Sequence, residues 1–187
     1  MSDIKLRIPV GNDNNEVMVF FQPTLVHKKG RSKVEFQRQV VHDFLCQVFE
    51  NSDFEIIRDE SGAPFFNNAS MPFLSISHSG NWFAVQLCEK DKVGIDIQIM
   101  KSDIERGMRY FVNKREEEVL ELTNFNLNLI WAAKEAVYKF KRGKLEFYKE
   151  ALTVIGIDNG TLTVEVDNER VECSYLTQDD FILVYVT

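Results

Sequence analysis

The chain is poor in cysteine: Cys46, Cys88 and Cys173 lie far apart among 187 residues and form no C-x-x-C pair. That excludes a disulfide frame and a zinc knuckle and fits reduced, buried thiols. No apolar run approaches the roughly 20 residues that cross a bilayer, so no membrane partner is expected. The opening M-S-D-I-K-L-R alternates charge and has no apolar stretch, so it does not read as a signal peptide and a cytoplasmic protein is expected. There is no Pro/Gly-rich linker, no sequence repeat and no G-x-S-x-G nucleophile turn. Positive charge is in deficit: 22 Lys and Arg face 29 Asp and Glu, for a net charge of −7. That balance argues against non-specific binding of nucleic acid.

The cations present are gathered in two places. Residues 27–42, H-K-K-G-R-S-K-V-E-F-Q-R-Q-V-V-H, and 139–144, K-F-K-R-G-K, are basic, whereas 115–121 and the stretch from Asp158 to Asp180 are acidic. Two basic clusters in an acidic protein could hold a polyanion, or could be solvated helix faces. With 44% hydrophobic residues the chain can bury a sizeable core in one domain or two small lobes.

Period-two patterning predicts strands over 4–8, 16–21, 54–58, 73–78, 82–87 and 93–99, and again over 151–157, 161–166, 169–176 and 181–186. Ser32 with Glu35 three residues on predicts a capped helix continuing through Val48. Residues 103–109, 114–122 and 126–142 read as helical. Helices and hairpins interleave without a βαβ rhythm, so the class is α+β. Two related halves meeting near residues 92–102 are compatible with this order.

Three stretches carry chemistry. In L129-I-W-A-A-K-E-A-V-Y-K-F140, Trp131, Glu135 and Lys139 stack along one helix face at the edge of an apolar stripe. A plain i,i+4 ion pair is one reading, worth about 0.3–0.5 kcal/mol. In V93-G-I-D-I-Q98, Gly94, Asp96 and Gln98 share one face of a strand otherwise buried. Asp96 there needs a partner, a metal or a neighbouring turn, because an unpaired buried charge costs several kcal/mol. Gly94 leaves room for something to approach the backbone. In L74-S-I-S-H-S-G-N81, Ser75, Ser77 and Ser79 share a face with His78 beside the turn, which suits phosphate oxygens or a polar hairpin end.

Together, Ser77-His78-Ser79, then V-G-I-D-I-Q, then W131-x-x-K-E-x-x-x-K139 resemble the 4'-phosphopantetheinyl transferase superfamily. The likeness is greater to the broad-carrier, surfactin-synthetase-activating type than to the short trimeric holo-acyl-carrier-protein synthases. It runs from Gly62-Ala63-Pro64 to Lys139, with weaker similarity around Arg38. The resemblance implies two similar lobes forming a pseudo-dimer, residues 1–92 and 93–187, each a small antiparallel sheet packed on a long helix. A monomer would then suffice.

It also implies an enzyme that uses Mg²⁺ to move phosphopantetheine from coenzyme A to a serine of an apo acyl or peptidyl carrier protein, as in fatty-acid biosynthesis, releasing 3',5'-ADP. Asp96, Gln98 and Glu135 would hold the metal. Glu116, Glu135 and Lys139 would serve catalysis, the carrier serine being deprotonated by Glu116, which matches a family glutamate, or by a metal-bound hydroxide or water near Gln98. Arg38, Ser77, His78, Lys134 and Lys139 would hold coenzyme A, with Lys28, Lys29, Arg31 and Lys33 ranked lower. Gln98 departs from the usual Glu at its position and adds no charge. A coenzyme A-binding module without catalysis and a Mg²⁺-dependent diphosphate hydrolase are the alternatives.

Overall fold

The computed structural model describes residues 4–11, 14–23, 32–143, 145, 148–178 and 181–187. Lys28, Lys29 and Arg31 lie outside the described residues. The chain is α+β, built on two antiparallel sheets. The first contains β1 (Ile4–Val10), β2 (Asn15–Phe21), β5 (Phe73–Ser79) and β6 (Trp82–Cys88), in the order β1-β2-β6-β5. Between β2 and β5 come helix α1 (Lys33–Phe49) and a two-stranded ribbon of β3 (Ile56–Arg58) and β4 (Pro64–Phe66). The second sheet contains β7 (Ile95–Ile99), β8 (Leu152–Asp158), β9 (Thr161–Val166), β10 (Glu169–Gln178) and β11 (Phe181–Val186), in the order β7-β11-β10-β9-β8. Between β7 and β8 lie a 3-10 helix (Ile104–Tyr110), α2 (Lys114–Val119), α3 (Asn124–Phe140) and the short α4 (Tyr148–Ala151).

Local sequence explains the boundaries. The Ser32 hydroxyl accepts from Glu35 N at 3.2 Å while the Glu35 carboxylate accepts from Ser32 N at 2.8 Å, so the expected capping box starts α1. Such a cap is worth about 1 kcal/mol. Thr123 caps α3 and Asn113 caps α2. The helical stretch expected over 103–109 is a 3-10 helix, Ile104–Tyr110, and one expectation is corrected: the helix expected over 114–122 ends at Val119, where Leu120 turns extended.

Among the described residues the core falls in three clusters. Alternate residues of β2 and β6 supply two of them. Met18, Phe20, Phe83 and Val85 face Val40, Val41, Phe44 and Leu45 of α1. Phe20 stacks on Phe44 with ring centres 3.9 Å apart. On the opposite side, Val17, Val19 and Ala84 meet Ile95, Ile97, Phe181, Leu183 and Tyr185 of the second sheet. The other face of that sheet, with Val154, Leu162, Val164 and Val184, packs on Leu127, Ile130, Ala133 and Val137 of α3. The layers run α1, first sheet, second sheet, α3, and edge strands β5 and β7 come side by side. No helix among the described residues is long and apolar enough to cross a membrane.

Candidate active site

The site begins where β5 meets β7. The period-two serines of β5 match the register of β7: Ser75 Oγ accepts from Ile95 N at 3.2 Å, Ser77 Oγ donates to Asp96 Oδ1 at 2.7 Å, and Ser79 Oγ accepts from Ile99 N at 3.0 Å. Serines that suited phosphate oxygens or a polar hairpin end thus join two sheet edges, and Ser77 orients the carboxylate of Asp96.

Gly94 brings the third element in. A Cβ built there would lie 2.1 Å from Ala136 O and 2.7 Å from Phe140 Cβ, so only glycine lets α3 come this close. The approach lets the last turn of α3 reach β7. Lys139 Nζ donates to Asp96 Oδ1 at 2.7 Å and to Ile95 O at 2.9 Å. The pair is partly buried, with side chains 26% and 9% exposed. The plain surface pairing with Glu135 is not what Lys139 makes.

Glu135 lines the same cleft, of about 420 Å³, with Ser77, His78, Asp96, Lys139, Arg58 and Arg142. Burial, then the negative charge of Asp96, raises the Glu135 carboxyl above its ordinary value, while Lys139 and a hydrogen bond from Tyr148 oppose this. The Tyr148 hydroxyl donates to Glu135 Oε1 at 3.0 Å. His78 stacks on Phe83, and its pKa is lowered by burial, then by the ammoniums of Lys139 and Lys33, against a smaller opposing effect of Asp96. The shift favours the neutral imidazole, which holds one N–H to donate.

Two cations here carried no motif of their own. Arg142 sits at a left-handed turn, φ 56°, and pairs with Asp59 at 2.9 Å. Asp59 is held down to about 2, first by the Ser61 hydroxyl, and its Oδ1 also accepts from Ala63 N within the G-x-P loop. Arg58 donates to Gly62 O, and burial followed by the charge of Arg38 lowers its pKa. Arg142 lay within the basic run 139–144. Arg58 could have been found only as a lone charge on a predicted strand.

Arg38 does not line this cleft. It lines a neighbouring cavity of about 950 Å³ that also holds Gln37 and His42 and shares Arg58, Ile76 and His78 with the first. The two spaces meet at His78, the one group among Arg38, Ser77 and His78 that faces both.

Three other residues are not brought to the cleft. Glu116 and Lys134 are each 0% exposed and pair at 2.9 Å. Glu116 Oε1 also accepts from Val154 N and Oε2 from Asn113 N, each at 2.8 Å. Lys134 also donates to Phe111 O and Lys149 O, and burial lowers its pKa against the pull of Glu116. Gln98 donates from Nε2 to Asn128 O at 3.0 Å and Asn128 Oδ1 at 3.2 Å, tying β7 to α3.

Among the described residues no three His, Cys, Asp or Glu side chains converge. Two carboxylates in one cleft still fit Mg²⁺, which takes one or two carboxylates and completes its shell with water and substrate phosphates. Ser77 and Lys139 both engage Asp96 Oδ1, and no hydrogen bond from a described residue reaches its Oδ2.

A family model, that of the 4'-phosphopantetheinyl transferase superfamily, matches residues 92–186, the span that carries Asp96, Glu116, Lys134, Glu135 and Lys139. No curated protein matches the chain.

Proposed function

The chain belongs to the 4'-phosphopantetheinyl transferase superfamily, and we propose that it transfers 4'-phosphopantetheine from coenzyme A to a serine of an apo acyl or peptidyl carrier protein, with Mg²⁺. The observation that carries this reading is the meeting of Asp96 and Lys139, 43 positions apart, in a cleft that Glu135 also lines. A carboxylate pair beside a fixed ammonium and two guanidiniums is suited to a diphosphate and a divalent cation.

In this reading the carrier serine oxygen attacks the phosphorus that bears pantetheine. A new phosphodiester forms, the anhydride bond breaks, and 3',5'-ADP leaves with the charge. Bound by Asp96 and Glu135, Mg²⁺ would neutralise charge on the diphosphate. Lys139 adds a point charge beside it, and Ser77 keeps Asp96 in place. Arg58 and Arg142 extend the positive wall, and His78 and Arg38 receive the nucleotide end of coenzyme A. Such chemistry is chiefly positioning and charge neutralisation. Glu116 and Lys134, enclosed in protein, hold the site rather than touch the substrate, so the serine proton passes to solvent water in the cleft. Gln98 stands behind the metal site as part of its frame.

The finer reading is the broad-carrier, holo-acyl-carrier-protein-synthase type of activity in a cytoplasmic monomer. Residues 1–92 and 93–187 would be related halves, each a sheet on a 17-residue helix. Incubation with coenzyme A, Mg²⁺ and an apo carrier, followed by weighing the carrier, tests the reaction. A gain of one phosphopantetheine is expected. Free phosphopantetheine without carrier gain would make the protein a diphosphate hydrolase, and no product with coenzyme A bound would make it a binding module.

A further inference from the structure

Tyr148 stands outside every motif that identified the site. It opens α4, a single turn, Y-K-E-A, just before β8. A lone turn is not stable by itself, yet this one is held from two sides. Lys149 O accepts from Lys134 Nζ at 3.2 Å and from Asn113 Nδ2 at 3.1 Å. Asn113 Nδ2 also reaches Leu152 O at 3.2 Å and Thr153 Oγ1 at 3.0 Å. The buried Glu116–Lys134 pair, together with the cap of α2, therefore fixes the backbone next to Tyr148.

The ring is fixed as well. It lies edge-on to Tyr138, centres 5.5 Å apart, and 6.5 Å from Trp131. Both belong to α3, as does Glu135. With backbone and ring set, the hydroxyl has one direction, and it donates to Glu135 Oε1 at 3.0 Å. Among the described residues no other hydrogen bond engages the Glu135 carboxylate.

We propose that Tyr148 is a positioning residue for Glu135: by holding Oε1 it sets the plane of the carboxylate and leaves Oε2 as the single oxygen offered to a divalent cation. The proposal rests on the reading of Asp96 and Glu135 as the metal pair. It also gives the enclosed Glu116 and Lys134 a use, since they act on Glu135 through α4 and Tyr148. A carboxylate free to rotate would have to be ordered as the cation bound. Outer partners of this kind typically govern metal affinity by about 10–100-fold.

The test uses Mn²⁺ as the probe, titrated into the full chain with saturating coenzyme A and followed by the loss of its free-ion paramagnetic resonance signal. Tyr148→Phe keeps the ring contacts and removes only the donor. The Mn²⁺ Kd should rise by about tenfold or more. Metal-free coenzyme A affinity, by calorimetry, should stay within about twofold and melting within a few degrees. Mn²⁺ binding within about twofold of wild type would overturn the proposal. So would a parallel loss of metal-free coenzyme A binding, which marks general damage to the cleft. Wild-type protein that takes up no Mn²⁺ beside coenzyme A would instead remove the metal assignment itself. Tyr148→Met, flexible and of similar apolar character, is the second variant should Tyr148→Phe fail to fold, with the same expected weakening.

Discussion

Lys134→Met should destabilise the protein severely and weaken its hold on the metal, while leaving kcat at saturating Mg²⁺ nearly intact. The ammonium is 0% exposed and has three acceptors, Glu116 Oε2 at 2.9 Å, Phe111 O at 2.6 Å and Lys149 O at 3.2 Å. Removing it leaves a buried carboxylate with two backbone donors and no counter-charge, a situation that costs about 3–5 kcal/mol. For a chain of this length each kcal/mol moves the melting temperature by about 2–4 °C, so a fall of roughly 6–20 °C is expected. Glu116→Gln should also destabilise, because its amide NH₂ would face N–H donors. The double variant Lys134→Met/Glu116→Gln should recover at least part of the loss, since it leaves no uncompensated charge. Thermal melts of the four proteins give the coupling. The kinetic arm separates a holding role from a reacting one. A general base is worth about 10²–10⁴ in rate, whereas enclosed Glu116 should cost less than about tenfold when Glu116→Gln is assayed well below its melting point. A Glu116→Gln protein with wild-type melting and a kcat lowered by about 10² or more would refute the enclosed-strut reasoning and return Glu116 to the role of base.

Gly94→Ala should push α3 off β7, because the new Cβ meets Ala136 O at 2.1 Å and Phe140 N at 2.8 Å. A loss of about 1–3 kcal/mol or more with weakened coenzyme A binding is expected, and wild-type melting would show that α3 yields freely. Gln98→Glu should destabilise by about 1–3 kcal/mol, since a carboxylate would face Asn128 O and Oδ1. Tighter Mg²⁺ binding with unchanged melting would show that residue 98 faces the metal. Lys139→Ala should lower kcat/KM for coenzyme A by roughly 10²–10³, and unchanged kinetics would remove Lys139 from the site. Burial and nearby cations place the free His78 pKa below its ordinary value, and bound phosphates would raise it. Binding should then take up a proton, so coenzyme A affinity should rise as pH falls from about 7 to 6. Calorimetry in two buffers of different ionisation enthalpy measures the uptake, and a Kd flat across that window would exclude His78.

How far the sequence reached depended on whether each feature was local. The capping box at Ser32 and Glu35, the hairpin of β5 and β6 and the order of the last four strands come from residues that act on their neighbours, so their elements stand within a few residues of expectation. Period two put Ser75, Ser77 and Ser79 on one face but could not say that β7 lies across from them, so hydroxyls that join two sheet edges read as phosphate contacts or as a polar hairpin end. Likewise the resemblance gave Glu116 the role of base, and nothing local said that Lys134, 18 positions away, encloses it. Tyr148 and Arg58 belong to no repeat or motif, and only the packing of α4 and of the β3–β4 ribbon gives them a place. Helix geometry does separate the two middle residues of W-x-x-K-E-x-x-x-K, although the resemblance set Lys134 among the coenzyme A contacts. Successive residues on a helix differ by about 100°, so Glu135 stands with Trp131 and Lys139 while Lys134 turns elsewhere. The chain uses that rotation to put one neighbour in the cleft and the other into the frame that steadies it.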